Sequence, residues 1–190
     1  MPHYLESRIS FYPDRITIPS RSLIGPDEEV MMSWEEDIMR ASADWVCSGG
    51  GDILEIGFGM GISATFIQNN NISSHTIVEC HPDIIEKAYE WAEGRPNVII
   101  VEGDWFNVRE NLGKYDGIFY DTYADDHMGN FPSALPELTK TGARVTWWNN
   151  MSGPSNFYNL SGVIYDEIEV NPPQNGYFNY GKYYLPKMIF

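Results

Sequence analysis

The chain has little positive charge for its length of 190 residues. It contains 12 lysines and arginines against 27 aspartates and glutamates, which gives a formal net charge of −15 at pH 7. Such an excess of negative charge repels the phosphates of nucleic acids and anionic lipids, so we expect neither nucleic acid nor a membrane as a partner. It favours a cationic small molecule, although an acidic surface also serves solubility alone.

Cysteine and long apolar runs are also scarce. Cys47 and Cys80 follow no metal-ligand spacing, so the sequence predicts no disulfide scaffold and no metal site. No apolar run approaches the roughly 18 residues of a membrane span, and residues 1–6 lack the basic and apolar parts of a signal peptide. We therefore expect a soluble, cytoplasmic protein, either a monomer or a homodimer.

The chain divides by pattern into a short arm and one domain. Residues 1–26 carry four prolines without a sustained apolar period, and we interpret them as an extended arm or lid, or as a loose tail. Residues 27–190 are expected to form a single domain. A helix is predicted from Pro26 to the stop at residues 48–51, because apolar residues recur at helical spacing. These residues are Val30, Trp34, Ile38, Ala41 and Trp45.

Beyond that helix, apolar strands alternate with helices. Strands are predicted at residues 52–56, 75–79, 97–101, 115–120 and 144–148, and helices at 62–68, 83–92 and around 135–138. This rhythm predicts an α/β, Rossmann-like, doubly wound sheet that is parallel in its first five strands, with ligands at their carboxyl ends. Residues 163–170 and 182–190 predict a C-terminal antiparallel hairpin, which brings the sheet to seven strands.

A glycine loop follows the first of these strands. The segment Gly57-x-Gly59-x-Gly61 lets backbone approach a nucleotide-like ligand closely, and Glu79 ends the next strand, where an acid binds ribose hydroxyls. The absence of the G-x-G-x-x-G frame, and an acid and an aromatic at residues 104–105, favour S-adenosylmethionine over a dinucleotide. An ordinary tight turn and a solvated strand end are the alternatives.

Two further acids stand where chemistry is expected. Asp121 closes the fourth strand at the carboxyl edge of the sheet, where it is either catalytic or a surface strand end. Glu35 follows Trp34 on the predicted first helix, where a solvated helix face is the alternative. Tyr123 and His127 are near enough in sequence to Asp121 to line the same pocket.

Several segments together closely resemble the guanidinoacetate N-methyltransferase family. They are residues 30–39 (VMMSWEEDIM), 54–61 (LEIGFGMG), 77–80 (IVEC), 117–123 (GIFYDTY) and 183–189 (YYLPKMI), in the order of the family. Residues 65–68 (TFIQ) and 81–83 (HPD) are also similar to the related protein arginine δ-N-methyltransferases. The resemblance implies a class I methyltransferase fold, with S-adenosylmethionine as cofactor and S-adenosylhomocysteine as product.

Residue by residue, the resemblance implies a site with two halves. The implied cofactor contacts are Met31, Met39, Gly57, Phe58, Gly59, Met60, Gly61, Ile62, Glu79, Cys80, His81, Asp104, Trp105 and Asp121. The implied substrate contacts are Glu35, Asp121, Tyr123, Asn150 and Met151, with backbone amides around the last two receiving a carboxylate. Glu35 and Asp121 are the implied catalytic residues. The segment after Asp121 is shorter than in the family.

Charge explains why two acids are needed. A guanidinium is protonated at ordinary pH, with a pKa above about 12, and the methyl donor is also a cation, so Glu35 and Asp121 must offset their repulsion. We expect Asp121 to accept the proton of the attacking nitrogen as well. The leading prediction is methylation of a small guanidino compound such as guanidinoacetate or free arginine. The alternatives are a protein arginine δ-N-methyltransferase and a non-catalytic cofactor-binding module.

Overall fold

The structure, a computed structural model, describes residues 2–22 and 24–190. Its strands are β1 (Ser10–Tyr12), β2 (Arg15–Ile18), β3 (Glu28–Met32), β4 (Asp52–Ile56), β5 (Ser74–Glu79), β6 (Val98–Glu102), β7 (Tyr115–Tyr120), β8 (Thr139–Trp147), β9 (Ile164–Glu169) and β10 (Lys182–Ile189). Its helices are α1 (Pro2–Glu6), α2 (Glu36–Cys47), α3 (Ile62–Gln68), α4 (Pro82–Ala92), α5 (Trp105–Val108) and α6 (Phe131–Leu138).

The central sheet has seven strands in the order β6-β5-β4-β7-β8-β10-β9. The five strands from β4 to β8 are mutually parallel, and β9 and β10 form an antiparallel hairpin whose second strand pairs with β8. The Rossmann-like prediction, with its parallel first five strands and its C-terminal hairpin, is confirmed. The central strands are apolar because helices or loops cover both faces of a parallel sheet.

The first long helix begins later than its apolar spacing predicts. Residues Glu28–Met32 form β3, a 3-10 turn covers Ser33–Glu35, and α2 starts at Glu36. The prediction of one helix from Pro26 was wrong because pairing with β2 overrides the local helical spacing of Val30. The predicted stop is correct, since α2 ends at Cys47 before the glycines.

The arm packs on the domain. Strands β1, β2 and β3 form a small antiparallel sheet, so β3 pairs across the predicted boundary at residue 26. Tyr4, Ile9, Ile16 and Ile18 are buried in the same hydrophobic cluster as residues of α2 and β4. The described part of the arm therefore lies on the domain, and its role as a lid stays a prediction.

The parallel order places three strand ends side by side. Strands β5, β4 and β7 end at Glu79, Ile56 and Tyr120, and their carboxyl ends meet at one edge of the sheet. The loops that follow these strands start from rigid backbone. Within the described ranges, every helix is too short or too polar to cross a bilayer.

Candidate functional site

A cavity of about 290 Å³ lies at this edge of the sheet. The loops after β4, β5, β6 and β7 line it, together with Tyr4 of the arm, residues of β3, and Tyr177 of the segment between β9 and β10. The cavity therefore lies where the alternating strands and helices predict a ligand. It collects residues from both ends of the chain.

The glycine loop forms one wall of this cavity. Gly57, Gly59 and Gly61 all have positive φ, at 94°, 55° and 71°, a conformation that other residues rarely adopt. A Cβ atom added to Gly57 would collide with the carbonyl oxygen of Asp121. Glycine at position 57 thus allows the loop after β4 to lie directly against the end of β7.

Glu79 is buried at the end of β5 and binds two loops at once. Its Oε2 accepts from the amide of Phe58 at 2.9 Å, and its Oε1 accepts from the amides of Cys80 and His81 at 2.8 and 2.9 Å. These bonds hold the carboxylate in one orientation on the cavity wall. An acid fixed at this strand end, beside a glycine wall, suits the ribose hydroxyls of an adenosine ligand.

An acid and an aromatic flank the loop after β6, as the sequence predicts. Asp104 accepts from the amide of Phe106 at 3.0 Å and so caps α5, while Trp105 is buried and lines the cavity. The indole of Trp105 donates to Asp125 at 2.6 Å, and the hydroxyl of Tyr120 donates to the same carboxylate. Asp125 therefore orients Trp105, a role the sequence did not reveal.

Glu35 and Asp121 occupy the other end of the cavity. Glu35 is only 3% exposed, and its Oε1 accepts from the amide of Met32 at 2.8 Å and from the hydroxyl of Tyr177 at 2.5 Å. No hydrogen-bond donor within residues 2–22 and 24–190 reaches the carboxylate of Asp121, a half-buried residue that lines the cavity beside the glycine loop. One acid is thus partly satisfied, and the other lacks a protein donor.

The surroundings of these two acids raise their pKa values. Burial, and then the negative charge of Asp121, raise the pKa of Glu35 to about 8. Burial, and then the buried Glu55, raise the pKa of Asp121 to about 7. Each carboxylate would be stabilised in its ionised form by a cation placed between them.

The cavity lining, as far as the chain is described, contains no lysine, arginine or histidine. Its six carboxylate residues are Glu29, Glu35, Glu79, Asp104, Asp121 and Asp125. Cys80 does not supply a nucleophilic thiolate, because burial, and then the charge of Glu79, raise the pKa of its thiol to about 12 and keep it protonated. The arrangement is suited to binding cations rather than to covalent catalysis.

Most of the predicted site residues line the cavity, and some do not. Those that line it are Met31, Gly57, Phe58, Gly59, Glu79, Cys80, Asp104, Trp105, Glu35, Asp121, Tyr123 and Asn150. The Tyr123 hydroxyl, however, donates to Glu28 at 3.1 Å and ties the loop after β7 to β3. Predicted contacts of these residues with cofactor or substrate stay predictions.

Six predicted residues lie beside the cavity rather than on its wall. Gly61 and Ile62 start α3, and Met39 is fully buried in the core on α2. Met60 lines a neighbouring cavity, and its amide donates to the sulfur of Met31 at 3.2 Å. His81 is buried, and its ring bonds to the Ser7 carbonyl at 2.9 Å.

Met151 is the sixth of these residues, and its amide is already engaged. The side chain is 49% exposed, and the backbone N–H donates to Asn149 Oδ1 at 3.2 Å. This amide is therefore not free to receive a substrate carboxylate. His127, a further candidate, stacks on Phe106 with ring centroids 4.7 Å apart and does not line the cavity.

Sequence reasoning missed residues that reach the cavity from distant segments. Tyr4 comes from α1 and packs against Tyr123, with ring centroids 5.2 Å apart. Trp148 follows β8, and Tyr177 lies between β9 and β10. No local motif marks Tyr4 or Tyr177, because only the folded chain brings these two residues to the cavity.

Comparison with known proteins gives a family match. The model of the guanidinoacetate N-methyltransferase family matches residues 22–145 of the chain. A curated relative from Candida glabrata, named protein arginine N-methyltransferase 2, is 37% identical over 138 residues, which are 65% of this chain and 31% of the relative. The protein of the same name from Saccharomyces cerevisiae is 28% identical over 98% of this chain and 52% of its own.

These relatives are longer than the chain. In the first three matches, the aligned part spans only 31%, 28% and 37% of the relative. The chain therefore corresponds to about a third of the length of these proteins.

Solved structures with similar folds include methyltransferases. The N-methyltransferase NodS from Bradyrhizobium japonicum has a TM-score of 0.62 at 11% identity, covering 82% of this chain and 96% of its own. A putative caffeoyl-CoA O-methyltransferase from Staphylococcus aureus has a TM-score of 0.58 at 21% identity, covering 81% of both chains. At these identities the likeness shows the fold alone.

The residues present fit the cofactor of this fold. Gly57 and Gly59 let the loop after β4 pack closely on the Asp121 carbonyl and the sulfur of Met31. Both glycines line the cavity together with Glu79, which ends the strand where a ribose-binding acid is expected. S-adenosylmethionine is the cofactor that the family and the fold imply. The chain belongs to the guanidinoacetate N-methyltransferase family of class I S-adenosylmethionine-dependent methyltransferases.

Proposed function

We propose that this chain methylates a guanidino nitrogen, using Glu35 and Asp121 to hold the acceptor. The observation that carries the proposal is the acceptor end of the cavity, where the negative charge of Asp121 acts on the buried Glu35 and no basic side chain from the described residues neutralises either acid. A buried carboxylate without a partner is costly. A planar guanidinium with its five N–H donors would satisfy both acids.

The residues at this end have separate roles in the proposed reaction. The cofactor, when bound, supplies an electrophilic methyl group on a sulfonium. Asp121 and Glu35 bind the acceptor by charge-assisted hydrogen bonds and offset the repulsion between two cations. As the guanidino nitrogen gains the methyl group, it loses one proton, and Asp121 accepts this proton on its carboxylate.

Aromatic side chains enclose this end of the cavity. Trp148 and Tyr177 both line it, and their ring centroids lie 6.2 Å apart. Such walls keep water away from the acids and favour a cation beside them. Exclusion of water strengthens the contacts of Glu35 and Asp121 with a guanidinium.

Our leading acceptor is a small guanidino compound, such as guanidinoacetate, free arginine or a close analogue. The family match and the burial of Glu35 support it, because a small molecule can be enclosed between the arm and the sheet. A guanidino group on an arginine side chain of a protein is the second candidate. The names of the curated relatives favour it, as does the amide of Met151, which is not free to bind a carboxylate.

Calorimetric titration separates these acceptors. Guanidinoacetate, arginine, agmatine and a short arginine-containing peptide would be titrated into the protein saturated with S-adenosylhomocysteine. Binding of guanidinoacetate or arginine but not agmatine would support a small acceptor with a carboxylate, and binding of the peptide would support the second candidate. Asp121→Asn should abolish either signal. If none of the four binds while the cofactor product does, the proposed function is wrong.

A further inference from the structure

The segment between β9 and β10, residues 170–181, is fixed on the body of the protein near the acceptor end. The side-chain oxygen of Asn175 accepts from the amides of Tyr177 and Phe178 at 2.9 and 2.7 Å. The Asn175 amide group donates back to the Phe178 carbonyl at 2.7 Å. Phe178 is fully buried and stacks on Trp34, with ring centroids 5.6 Å apart. The position of Tyr177 is therefore set by neighbours on both sides.

Two contacts connect this segment to the residues that precede α2. The Tyr177 hydroxyl donates to Glu35 Oε1 at 2.5 Å, across 142 residues of sequence. The amide of Gly176 donates to Glu29 Oε2 at 3.3 Å. The segment thus donates hydrogen bonds to two acids that precede α2, the buried Glu35 and the more exposed Glu29.

The two oxygens of Glu35 are not equivalent. Oε1 receives both donors, the Met32 amide at 2.8 Å and the Tyr177 hydroxyl at 2.5 Å. No donor in the described part of the chain reaches Oε2. An oxygen with two donors is largely saturated, so Oε2 is left for a ligand in the cavity that Glu35 lines.

We infer that Tyr177 is a positioning residue for the acceptor. By holding Oε1 of Glu35 it leaves Oε2 alone to meet the guanidinium, so that Asp121, with no protein donor on its carboxylate among the described residues, supplies the two-oxygen contact. This inference rests on the proposed function. The acceptor guanidinium then donates to three carboxylate oxygens, one from Glu35 and two from Asp121.

The hydrogen bond also favours the ionised form of Glu35. A donor to a carboxylate stabilises its charge, and the Tyr177 hydroxyl opposes the effect of burial on the pKa of Glu35. Removing the hydroxyl leaves Oε1 with the Met32 amide alone. Glu35 would then be harder to ionise and free to turn its carboxylate.

The test compares Tyr177→Phe with Tyr180→Phe. Tyr180 lies in the same segment, is 45% exposed and packs against Phe178, so its substitution controls for general effects on this segment. The pKa of Glu35 would be measured without ligands by ¹³C NMR of carboxyl groups, with Glu35→Gln to assign the signal. Acceptor KM and kcat, and S-adenosylhomocysteine affinity, would be measured in each variant.

We expect Tyr177→Phe to raise the pKa of Glu35 by about one unit and the acceptor KM about tenfold, which is the size of one hydrogen bond to a charged group. The affinity for S-adenosylhomocysteine should not change, and Tyr180→Phe should behave as wild type. In the Glu35→Gln background, Tyr177→Phe should add little further loss of KM, because the two residues act through one contact.

An unchanged Glu35 pKa and an unchanged acceptor KM in Tyr177→Phe would overturn the inference. Additive losses in the double variant would also overturn it, because Tyr177 would then act without Glu35. If the pKa of Glu35 rises in Tyr177→Phe but the wild type binds no guanidino acceptor, the hydrogen bond stands and the proposed function fails. The two failures are therefore distinguishable.

Discussion

Each end of the cavity contains a buried acid, but the hydrogen-bond donors to the acids differ between the two ends. At the cofactor end, Glu79 accepts hydrogen bonds from three backbone amides. At the acceptor end, Glu35 has one amide and one tyrosine hydroxyl, and the Asp121 carboxylate has no donor from the described residues. Burial is similar, since Glu79 is 5% exposed and Glu35 is 3% exposed.

This difference separates Glu79, which connects two loops of the fold, from Glu35 and Asp121, which have hydrogen-bonding capacity left for a ligand. Glu79 holds the glycine loop and the loop after β5 together, so its position is complete without a ligand. Glu35 and Asp121 lack that support, and burial raises their pKa values to about 8 and about 7. The missing counter-charge at the acceptor end is what we propose the guanidinium supplies.

Asp121→Asn should break the acceptor end alone and have the largest effect. It removes a charge and the proposed proton acceptor with little change in shape, so we expect kcat/KM to fall about a thousandfold. Steady-state kinetics with the best acceptor would measure this, and calorimetry should show unchanged S-adenosylhomocysteine affinity. Asp37→Asn, on the exposed side of α2, is the matched control. Turnover close to wild type would remove Asp121 from the mechanism.

The pH dependence of kcat/KM should reveal the two unsupported acids. A guanidinium needs both carboxylates ionised, and their pKa values are raised to about 8 and about 7. Activity should therefore rise with pH through this range, with kcat/KM about five-hundredfold lower at pH 6 than at pH 8. A rate profile from pH 5.5 to 9.5 measures it. A profile that is flat between pH 6 and 8 would show that neither ionisation limits acceptor binding.

Glu79→Gln should break the cofactor end and leave the acceptor end intact. The amide keeps the size of the side chain, but it loses a charge facing the expected ribose and turns an NH2 donor toward backbone amides that Glu79 accepts from. We therefore expect the affinity for S-adenosylhomocysteine to fall about tenfold or more. Glu102→Gln, at the opposite position on the exposed edge strand β6, is the control. Calorimetry at saturating cofactor product should give the same acceptor affinity as wild type. A selective loss of acceptor binding would contradict the division into two ends.

Tyr123→Phe should have the smallest effect, although Tyr123 lines the cavity. Its hydroxyl donates to Glu28 and to neither Glu35 nor Asp121, so the substitution removes only one half-exposed hydrogen bond to β3. We expect about a threefold change in acceptor KM, which corresponds to a weak net hydrogen bond. A rise in acceptor KM as large as that expected for Tyr177→Phe would show that the Tyr123 hydroxyl contacts the substrate, and Tyr123 would then belong to the acceptor end.

The contrast between the two ends also explains what the sequence could predict. The strands at 52–56 and 115–120 and the helix at 62–68 have the predicted bounds, because apolar runs and glycines mark them locally. The cofactor end lies on those elements, so the glycine loop and Glu79 were found from spacing. The first helix was mispredicted because the pairing of β3 with β2 is not visible in its own residues.

The acceptor end depends on contacts between distant segments. Glu35 stood out only through the resemblance to the family, since its own pattern equally fits a solvated helix face. Tyr177 lies 142 residues away and carries no motif of its own. Local propensity cannot predict such a contact, which forms only when the hairpin of β9 and β10 closes on the sheet.

The segment between β9 and β10 offers a handle for protein engineering. Contacts of Asn175 and Phe178 fix the middle of the segment, and the paired strands β9 and β10 fix its two ends. Library variation confined to residues 171–174 would place new side chains near Tyr177, while the hydrogen bonds of Asn175 and Asn179 keep its backbone anchored. Under the proposed function, such libraries should change which guanidino compounds are accepted without loss of cofactor binding, because no residue of this segment touches the glycine loop in the described contacts.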